Sequence, residues 1–286
     1  MLTQSEKGHV FRALHKRDRA FIIPNPWDAG TARLLAHLGF EALATTSAGY
    51  AFSTGQRDNM IERDEMMVHI SRISSATDLP VSADLENGFG DAPEIVAETI
   101  WLAAAAGVVG GSIEDMSRQP GHPIYERDYA VERVRAAADV ARAFPFPFTL
   151  TARAENYLVG RPDLKDTINR LQAYQTAGAD VLYAPGLTSK DDIAAVVSSV
   201  DRPVNVVMGL QGVQLSLAEL SAIGVRRVSV GSALSRAALG AFLRASQEMR
   251  EHGTFTFAEE AVSYRDISAM FTACAQPSGK IKSNLP

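Results

Sequence analysis

The chain has 286 residues, 46% of them hydrophobic and 21% charged, a composition that suits one large globular domain or two small ones. The formal net charge of -5 argues against a general nucleic-acid-binding surface, and the single cysteine, Cys274, excludes a disulfide framework or a cysteine-ligated metal site. Residues 1–19 lack the apolar stretch of a signal peptide, and the longest apolar run, 100–111, is too short to span a bilayer. We therefore expect a cytoplasmic protein with no membrane partner.

Short apolar segments, often β-branched, recur along the chain as expected for parallel strands that are covered on both faces. They predict strands at 20–24, 42–46, 81–84, 109–113, 148–152, 181–183, 203–207 and 228–230. Helical patterns alternate with these strands, at 31–38, 63–77, 93–106, 129–143, 164–177, 191–200, 217–223 and 233–251. Further helices are predicted before the first strand, at 5–17, and near the C-terminus, at 257–271.

Eight alternating strand and helix patterns predict an α/β fold of the (β/α)8 barrel type, with an N-terminal helix and extra C-terminal helices. A doubly wound open sheet is the rival, but it does not need eight evenly distributed units. Since no linker interrupts the pattern, we predict one domain over 1–286. Within it, the barrel covers about 20–252, a helical extension covers 253–275 and a loose tail covers 276–286.

Acidic residues follow two neighbouring predicted strands at the point where each strand ends. Asp84 and Glu86 end one strand, and Glu114 and Asp115 end the next. The strand after these ends at Arg153, and the C-terminal ends of barrel strands meet on the face that carries active sites. Grouped carboxylates repel one another unless a cation lies between them, so this pattern predicts a Mg²⁺ site.

The residue types that are missing from the strand ends narrow the chemistry. None of the six lysines lies at a predicted strand end, so a Schiff-base aldolase would lack its nucleophile. Five of the six histidines lie in helical patterns, and only His122 lies in a candidate active-site loop, which argues against a histidine-ligated zinc or iron site. The remaining donors are oxygens, which favour Mg²⁺, with Mn²⁺ as the alternative.

The two acidic motifs, in this order, resemble those of the isocitrate lyase/phosphoenolpyruvate mutase superfamily, and the resemblance extends over 24–231. It implies a barrel that binds a 2-oxo acid or its enolate on Mg²⁺. It also implies that Asp84 is the direct metal ligand and that Glu86 and Glu114 hold the waters of the metal. Asp58, in Gln-Arg-Asp, matches an acid close to the metal.

The same resemblance implies a substrate site. Arg153, in Thr-Ala-Arg-Ala-Glu, matches a catalytic arginine that grips the substrate, and Asn205 matches a strand position that faces it. We count Glu114 among the catalytic residues and Asp84 among those that bind the substrate. The substrate carboxylate is expected on the backbone N–H groups of a loop that consists of Ser47, Ala48, Gly49 and Tyr50.

One segment departs from the superfamily. Its lyases carry a Lys-x-Cys-Gly-His-like motif whose cysteine donates a proton, and here Pro120 stands in the cysteine's place before Gly121 and His122. Proline cannot donate a proton, so we identify a small member that lacks the lyase cysteine motif. His122 or Tyr125 is the candidate proton donor, and the alternative is that both only pack the closed loop. We predict that 115–127 is a mobile gate over the barrel mouth.

These observations predict a Mg²⁺-dependent enzyme that cleaves or forms a C–C bond next to a 2-oxo acid through an enolate. A decarboxylase or lyase on a small oxo-dicarboxylate is the leading hypothesis. The alternatives are P–C chemistry of the phosphonopyruvate hydrolase or mutase type and a non-catalytic barrel that binds a carboxylate.

The C-terminal extension predicts assembly. Apolar and aromatic residues are concentrated in 255–271, and such a surface does not stay exposed to water. Members of the superfamily exchange a C-terminal helix between barrels, so we expect a helix-swapped homodimer, with a homotetramer as a further possibility. The alternative is that the segment folds back onto its own barrel.

Overall fold

A computed structural model describes residues 2–210 and 212–273 of the chain. Its strands are β1 (Phe21–Ile23), β2 (Leu43–Ala44), β3 (Val81–Asp84), β4 (Gly110–Glu114), β5 (Met116–Gln119), β6 (His122–Ile124), β7 (Thr149–Arg153), β8 (Val181–Tyr183), β9 (Val204–Val207) and β10 (Arg227–Ser229). Within the described residues, eight strands form a parallel sheet in the order β1-β10-β9-β8-β7-β4-β3-β2, and β5 pairs with β6 in a separate antiparallel hairpin.

Helices surround this sheet. They are α1 (Gln4–Leu14), α2 (Ala29–His37), α3 (Ser47–Ser53), α4 (Arg63–Ser75), α5 (Pro93–Ala105), α6 (Arg127–Ala143), α7 (Leu164–Ala177), α8 (Lys190–Ser198), α9 (Leu217–Ala222), α10 (Ala233–His252) and α11 (Tyr264–Ala273). The alternation of parallel strands and helices confirms the predicted (β/α)8 barrel. No described helix is long and apolar enough to cross a membrane.

Asn25 joins the first and last strands of the sheet and so closes the barrel. Between β1 and β2, the Ala44 N–H donates to the Pro24 carbonyl over 3.1 Å, and the Asn25 Nδ2 donates to the Thr45 carbonyl over 2.9 Å. On the other side, Asn25 Oδ1 accepts backbone N–H bonds of 2.9 and 3.0 Å from residues 230 and 231, just after β10. One buried side chain therefore links three strands at the face where the acidic residues lie.

The N-terminal helix closes the opposite end of the barrel. Phe11 and Leu14 of α1 are fully buried against the apolar side chains of β1 and against Val109. A Cβ atom added to Gly110 would lie 2.9 Å from the Phe11 ring, so this strand position needs glycine. The predicted N-terminal helix is confirmed, and it leaves only the C-terminal face of the barrel open for a site.

Three segments differ from their predictions. Residues 47–50 were expected as a loop, but Thr46 caps the helix α3 there, with its side chain accepting from the Gly49 N–H. The predicted gate contains the β5–β6 hairpin. The single helix expected at 257–271 is instead a 3₁₀ helix, Thr256–Glu259, followed by α11.

The C-terminal helix α11 contacts α2 of the same chain. The structure describes one chain, so helix exchange between chains stays a prediction. The expected tail at 276–286 lies outside the described residues.

Candidate active site

Arg153 holds three carboxylates together at the open end of the barrel. It ends β7, in register with Glu114 at the end of β4. Its Nη1 lies 3.1 Å from Asp84 Oδ1, its Nη2 lies 3.0 Å from Glu114 Oε2, and its Nε lies 2.8 Å from Glu155 Oε1. The structure thus brings the ends of β3, β4 and β7 together as predicted, and every nitrogen of the Arg153 guanidinium has a carboxylate partner.

These buried charges alter one another's pKa values. Burial raises the pKa of Glu114 well above its ordinary range, Arg153 opposes the rise, and Glu155 and Asp84 add to it. Burial also raises the pKa of Glu155, again against Arg153. Burial lowers the pKa of Arg153, but the surrounding carboxylates outweigh it and raise that pKa overall. The cluster therefore favours the uptake of positive charge.

The start of α3 supports Asp84 rather than offering a free carboxylate pocket. The Ser47 N–H and Oγ donate to Asp84 Oδ2 over 3.2 and 2.9 Å, and the same Oγ lies 3.4 Å from Oδ1 of Asp58 at the exposed rim. The N–H groups of Gly49 and Tyr50 bond to Thr46. Of the four predicted N–H groups, only that of Ala48 has no partner among the described residues.

Tyr50, which was predicted to contribute to the substrate site, lies on the outer side of α3. Its ring stacks on His69 with 3.7 Å between centroids and an interplanar angle of 14°. Its hydroxyl donates to Glu65 over 3.1 Å. Only its backbone N–H is close to the site, and that group is bonded to Thr46.

Glu86 is the least accessible of the predicted metal-site acids. Its side chain is 2% exposed, its Oε2 is ion-paired with Arg118 of the hairpin, and its buried Oε1 has no hydrogen-bond partner among the described residues. Its φ of 49° lies in the left-handed region, which is unusual for a residue other than glycine. An unpartnered buried carboxylate oxygen is costly unless something binds it.

The donors present fit a hard divalent cation. No group of three or more acidic, histidine or cysteine side chains converges as a ready ligand set within 2–210 and 212–273. Mg²⁺ does not need such a set, because it keeps several waters and commonly uses one or two carboxylates plus the substrate. Asp84 and the free Oε1 of Glu86 are oxygen donors of the required type.

The two candidate proton donors have different surroundings. The Tyr125 hydroxyl donates to Asp91 Oδ1 over 2.5 Å and accepts from Asn87 Nδ2 over 3.3 Å, while Arg133 lies 4.2 Å above its ring. Burial, helped by Asp91, raises the pKa of Tyr125 to about 12. His122 is exposed on the hairpin, and its side chain has no hydrogen bond or ion pair with the described residues.

Asn205, predicted to face the substrate, has both ends of its amide engaged inside the barrel. Its Oδ1 accepts from Arg227 Nε over 2.8 Å, and its Nδ2 donates to Ser229 Oγ over 3.0 Å. Its side chain is fully buried, so a contact with substrate needs a rearrangement of these two bonds.

Two sets of contacts at the site were not predicted. One is Glu155 as a partner of Arg153, although its position two residues after Arg153 was a usable signal. The other is the buried Asp115, which accepts from the Glu155 N–H over 2.8 Å, from Arg170 Nη1 over 3.2 Å and from the Tyr174 hydroxyl over 2.5 Å. Arg170 and Tyr174 lie four residues apart on one face of α7, and only the fold brings them to Asp115.

Known proteins share this sequence and fold. The sequence profile of the phosphoenolpyruvate phosphomutase family matches residues 11–250. An oxaloacetate decarboxylase of Chromohalobacter salexigens is 30% identical over 256 residues, which cover 87% of each chain. A 2-methylisocitrate lyase of Shewanella oneidensis is 31% identical over 262 residues, which cover 88% of each chain.

A crystal structure from Burkholderia cenocepacia, provisionally described as a lyase/mutase, is 69% identical and superposes with a TM-score of 0.93. The match covers 96% of this chain and 97% of that one. Together with the profile match, these relatives confirm the family and the class of enzyme that the acidic motifs predicted. The chain belongs to the phosphoenolpyruvate phosphomutase family, within the isocitrate lyase/phosphoenolpyruvate mutase superfamily.

Proposed function

We propose that this chain is a Mg²⁺-dependent lyase that breaks a C–C bond of a small oxo-dicarboxylate and leaves the enolate of a 2-oxo acid, with decarboxylation as the leading reaction. The observation that carries the proposal is the buried carboxylate cluster around Arg153 at the ends of β3, β4 and β7. The relatives named oxaloacetate decarboxylase and 2-methylisocitrate lyase support the same class of reaction.

Each acidic residue has a role in this proposal. Asp84 would be the direct ligand of the metal, Glu86 and Glu114 would hold its waters, and Asp58 would be a further acid close to it. When bound, Mg²⁺, or Mn²⁺ in its place, supplies a Lewis acid that stabilises an enolate. Ser47 fixes the Asp84 carboxylate through its N–H and Oγ, and so orients the ligand before the metal arrives.

The proton donors present favour decarboxylation over retro-aldol cleavage. Retro-aldol cleavage needs a base for the substrate hydroxyl and an acid for the enolate, whereas decarboxylation leaves an enolate that needs only one proton. Pro120 replaces the lyase cysteine, and Tyr125 is bonded to Asp91. The remaining donors are His122, once the hairpin brings it inward, and water. A single proton from either completes decarboxylation.

The test is a substrate panel with and without EDTA. Decarboxylation of oxaloacetate, cleavage of 2-methylisocitrate or 2,3-dimethylmalate and hydrolysis of phosphonopyruvate all yield pyruvate, so one lactate dehydrogenase assay follows these four reactions. The rate with Asp84→Ala measures the decarboxylation that free metal causes. We expect Mg²⁺-dependent pyruvate from oxaloacetate above that background. Phosphate release from phosphonopyruvate would favour P–C chemistry, and Mg²⁺-dependent binding without turnover would favour a non-catalytic barrel.

A further inference from the structure

Arg153 and Arg118, the two arginines that contact the acidic cluster, differ in how many of their guanidinium nitrogens lack a hydrogen-bond partner. Arg153 uses Nη1, Nη2 and Nε on three protein carboxylates. Arg118 makes both of its contacts through Nη2, to Glu86 and, over 3.3 Å, to Asn59 Oδ1. Its Nε and Nη1 have no hydrogen-bond partner within the described residues. A ligand that needs a guanidinium therefore finds free donors on Arg118 rather than on Arg153.

The hairpin backbone directs Arg118 toward the cluster. The pairing of β5 with β6 shifts register between Met116 and Gln119, and such irregularities re-aim side chains. Arg118 has a φ of 57°, a left-handed conformation that is unfavourable for a residue with a Cβ and persists only where other contacts hold it. Those contacts are with Asn59 and with Glu86, which is 2% exposed, whereas the Arg118 side chain is still 33% exposed.

We propose that Arg118 is the residue that selects for a second carboxylate on the substrate. This inference rests on the proposed function and names the residue that recognises the second carboxylate of its oxo-dicarboxylate substrate. Glu86 and Asn59 hold the guanidinium by one nitrogen, and the distal carboxylate of the ligand accepts from the nitrogens that remain. A guanidinium suits this task because its planar donors match a carboxylate in charge and geometry.

Other described arginines on this side of the barrel do not fit the role. Arg170 is paired with Asp115 and Asp166, and the buried Arg133 donates to backbone carbonyls of 87–91. Arg57, which precedes Asp58 in the sequence, is exposed and has no hydrogen bond or ion pair with the described residues. It therefore serves as a matched control of the same residue type.

The test compares two ligands that lack the oxo group needed for decarboxylation, malate and 2-hydroxybutyrate, which differ only by a carboxylate in place of a methyl group. Both are titrated by calorimetry into the full-length protein with Mg²⁺. Wild type is expected to bind malate more tightly than 2-hydroxybutyrate. Arg118→Gln should weaken malate binding about 10- to 100-fold and leave 2-hydroxybutyrate binding within about twofold. The malate affinity of Arg118→Lys should lie between those of wild type and Arg118→Gln. Arg57→Gln should leave the affinities for both ligands unchanged.

Each result decides the proposal. If Arg118→Gln weakens the binding of both ligands equally, Arg118 only supports the site and the proposal is wrong. The proposal is also wrong if Arg118→Gln does not weaken malate binding, or if wild type does not prefer malate. The proposed function fails separately: a wild type that selects malate through Arg118 but turns over no substrate of the panel would be a selective binder without lyase activity.

Discussion

Acidification from about pH 7.5 to about pH 5 is expected to destabilise the protein through His15, which is buried where α1 closes the barrel. Its ring lies edge-on between Phe11 and Phe21, at centroid distances of 4.8 and 5.1 Å. Its Nδ1 donates to the Phe11 carbonyl over 2.9 Å. Burial, with a smaller contribution from Arg227, lowers the pKa of His15 to about 3.

The sign of the effect follows from this lowered pKa. The unfolded chain binds a proton at His15 below about pH 6.5, whereas the folded protein does not until about pH 3. The stability associated with neutral His15 is thus fully present above the unfolded pKa and is lost as the pH falls toward the folded one. At about pH 5 the loss is roughly 2 kcal/mol. His69, whose pKa burial lowers to about 4, contributes in the same direction.

Urea unfolding of wild type and His15→Gln at both pH values measures this contribution. The glutamine keeps a side-chain N–H for the Phe11 carbonyl but does not titrate. Wild type should lose roughly 2 kcal/mol more free energy of unfolding than the variant. Carboxylates and His69 titrate in both proteins, so their effects cancel in this difference. The same pH-dependent loss in both proteins would refute a neutral, buried His15.

Four further outcomes are expected. Asp84→Ala should abolish turnover and leave the melting temperature unchanged. If this variant keeps wild-type turnover in the presence of a chelator, the assignment of Asp84 to the metal site is wrong. The hairpin region 115–127 should resist proteolysis better with Mg²⁺ and oxalate than without, and His122→Ala should lower kcat more than it raises KM if His122 donates the proton. Truncation after Gly253 should yield monomers in sedimentation, and an intact oligomer would exclude 254–286 as the link.

The barrel was predictable because parallel strands covered on both faces read as short apolar runs. β3 and β8 have the predicted bounds, whereas β2 is shorter, because Thr45 and Thr46 leave the strand and Thr46 caps α3. The helix α3 has seven residues and includes glycine and serine, so its pattern was too short and too weak to detect. The hairpin did leave a signal. Pro120-Gly121 joins β5 to β6, and Gly121 has the φ of 80° that a tight turn requires.

The positions of the candidate site residues were predictable, but their contacts were not. Strand ends place acidic residues on one face, and the position of Asp84, Glu114 and Arg153 follows from the barrel alone. Which carboxylate binds which guanidinium depends on side-chain rotamers and on the path of the hairpin. The sequence therefore assigned substrate binding to Arg153 and could not show that its nitrogens are all engaged.

The contacts of Arg118 and Arg153 also explain why the site favours the uptake of positive charge. Four carboxylates, those of Asp84, Glu86, Glu114 and Glu155, contact the two guanidinium groups, which leaves a formal excess of two negative charges. Without a cation this excess favours proton uptake, and the raised pKa of Glu114, which burial and the neighbouring carboxylates cause, expresses that tendency. A divalent cation cancels the same excess without protonating a ligand. Arg118 lies on the β5–β6 hairpin and Arg153 lies at the end of β7, so a movement of the hairpin is expected to change the same charge balance as a bound cation.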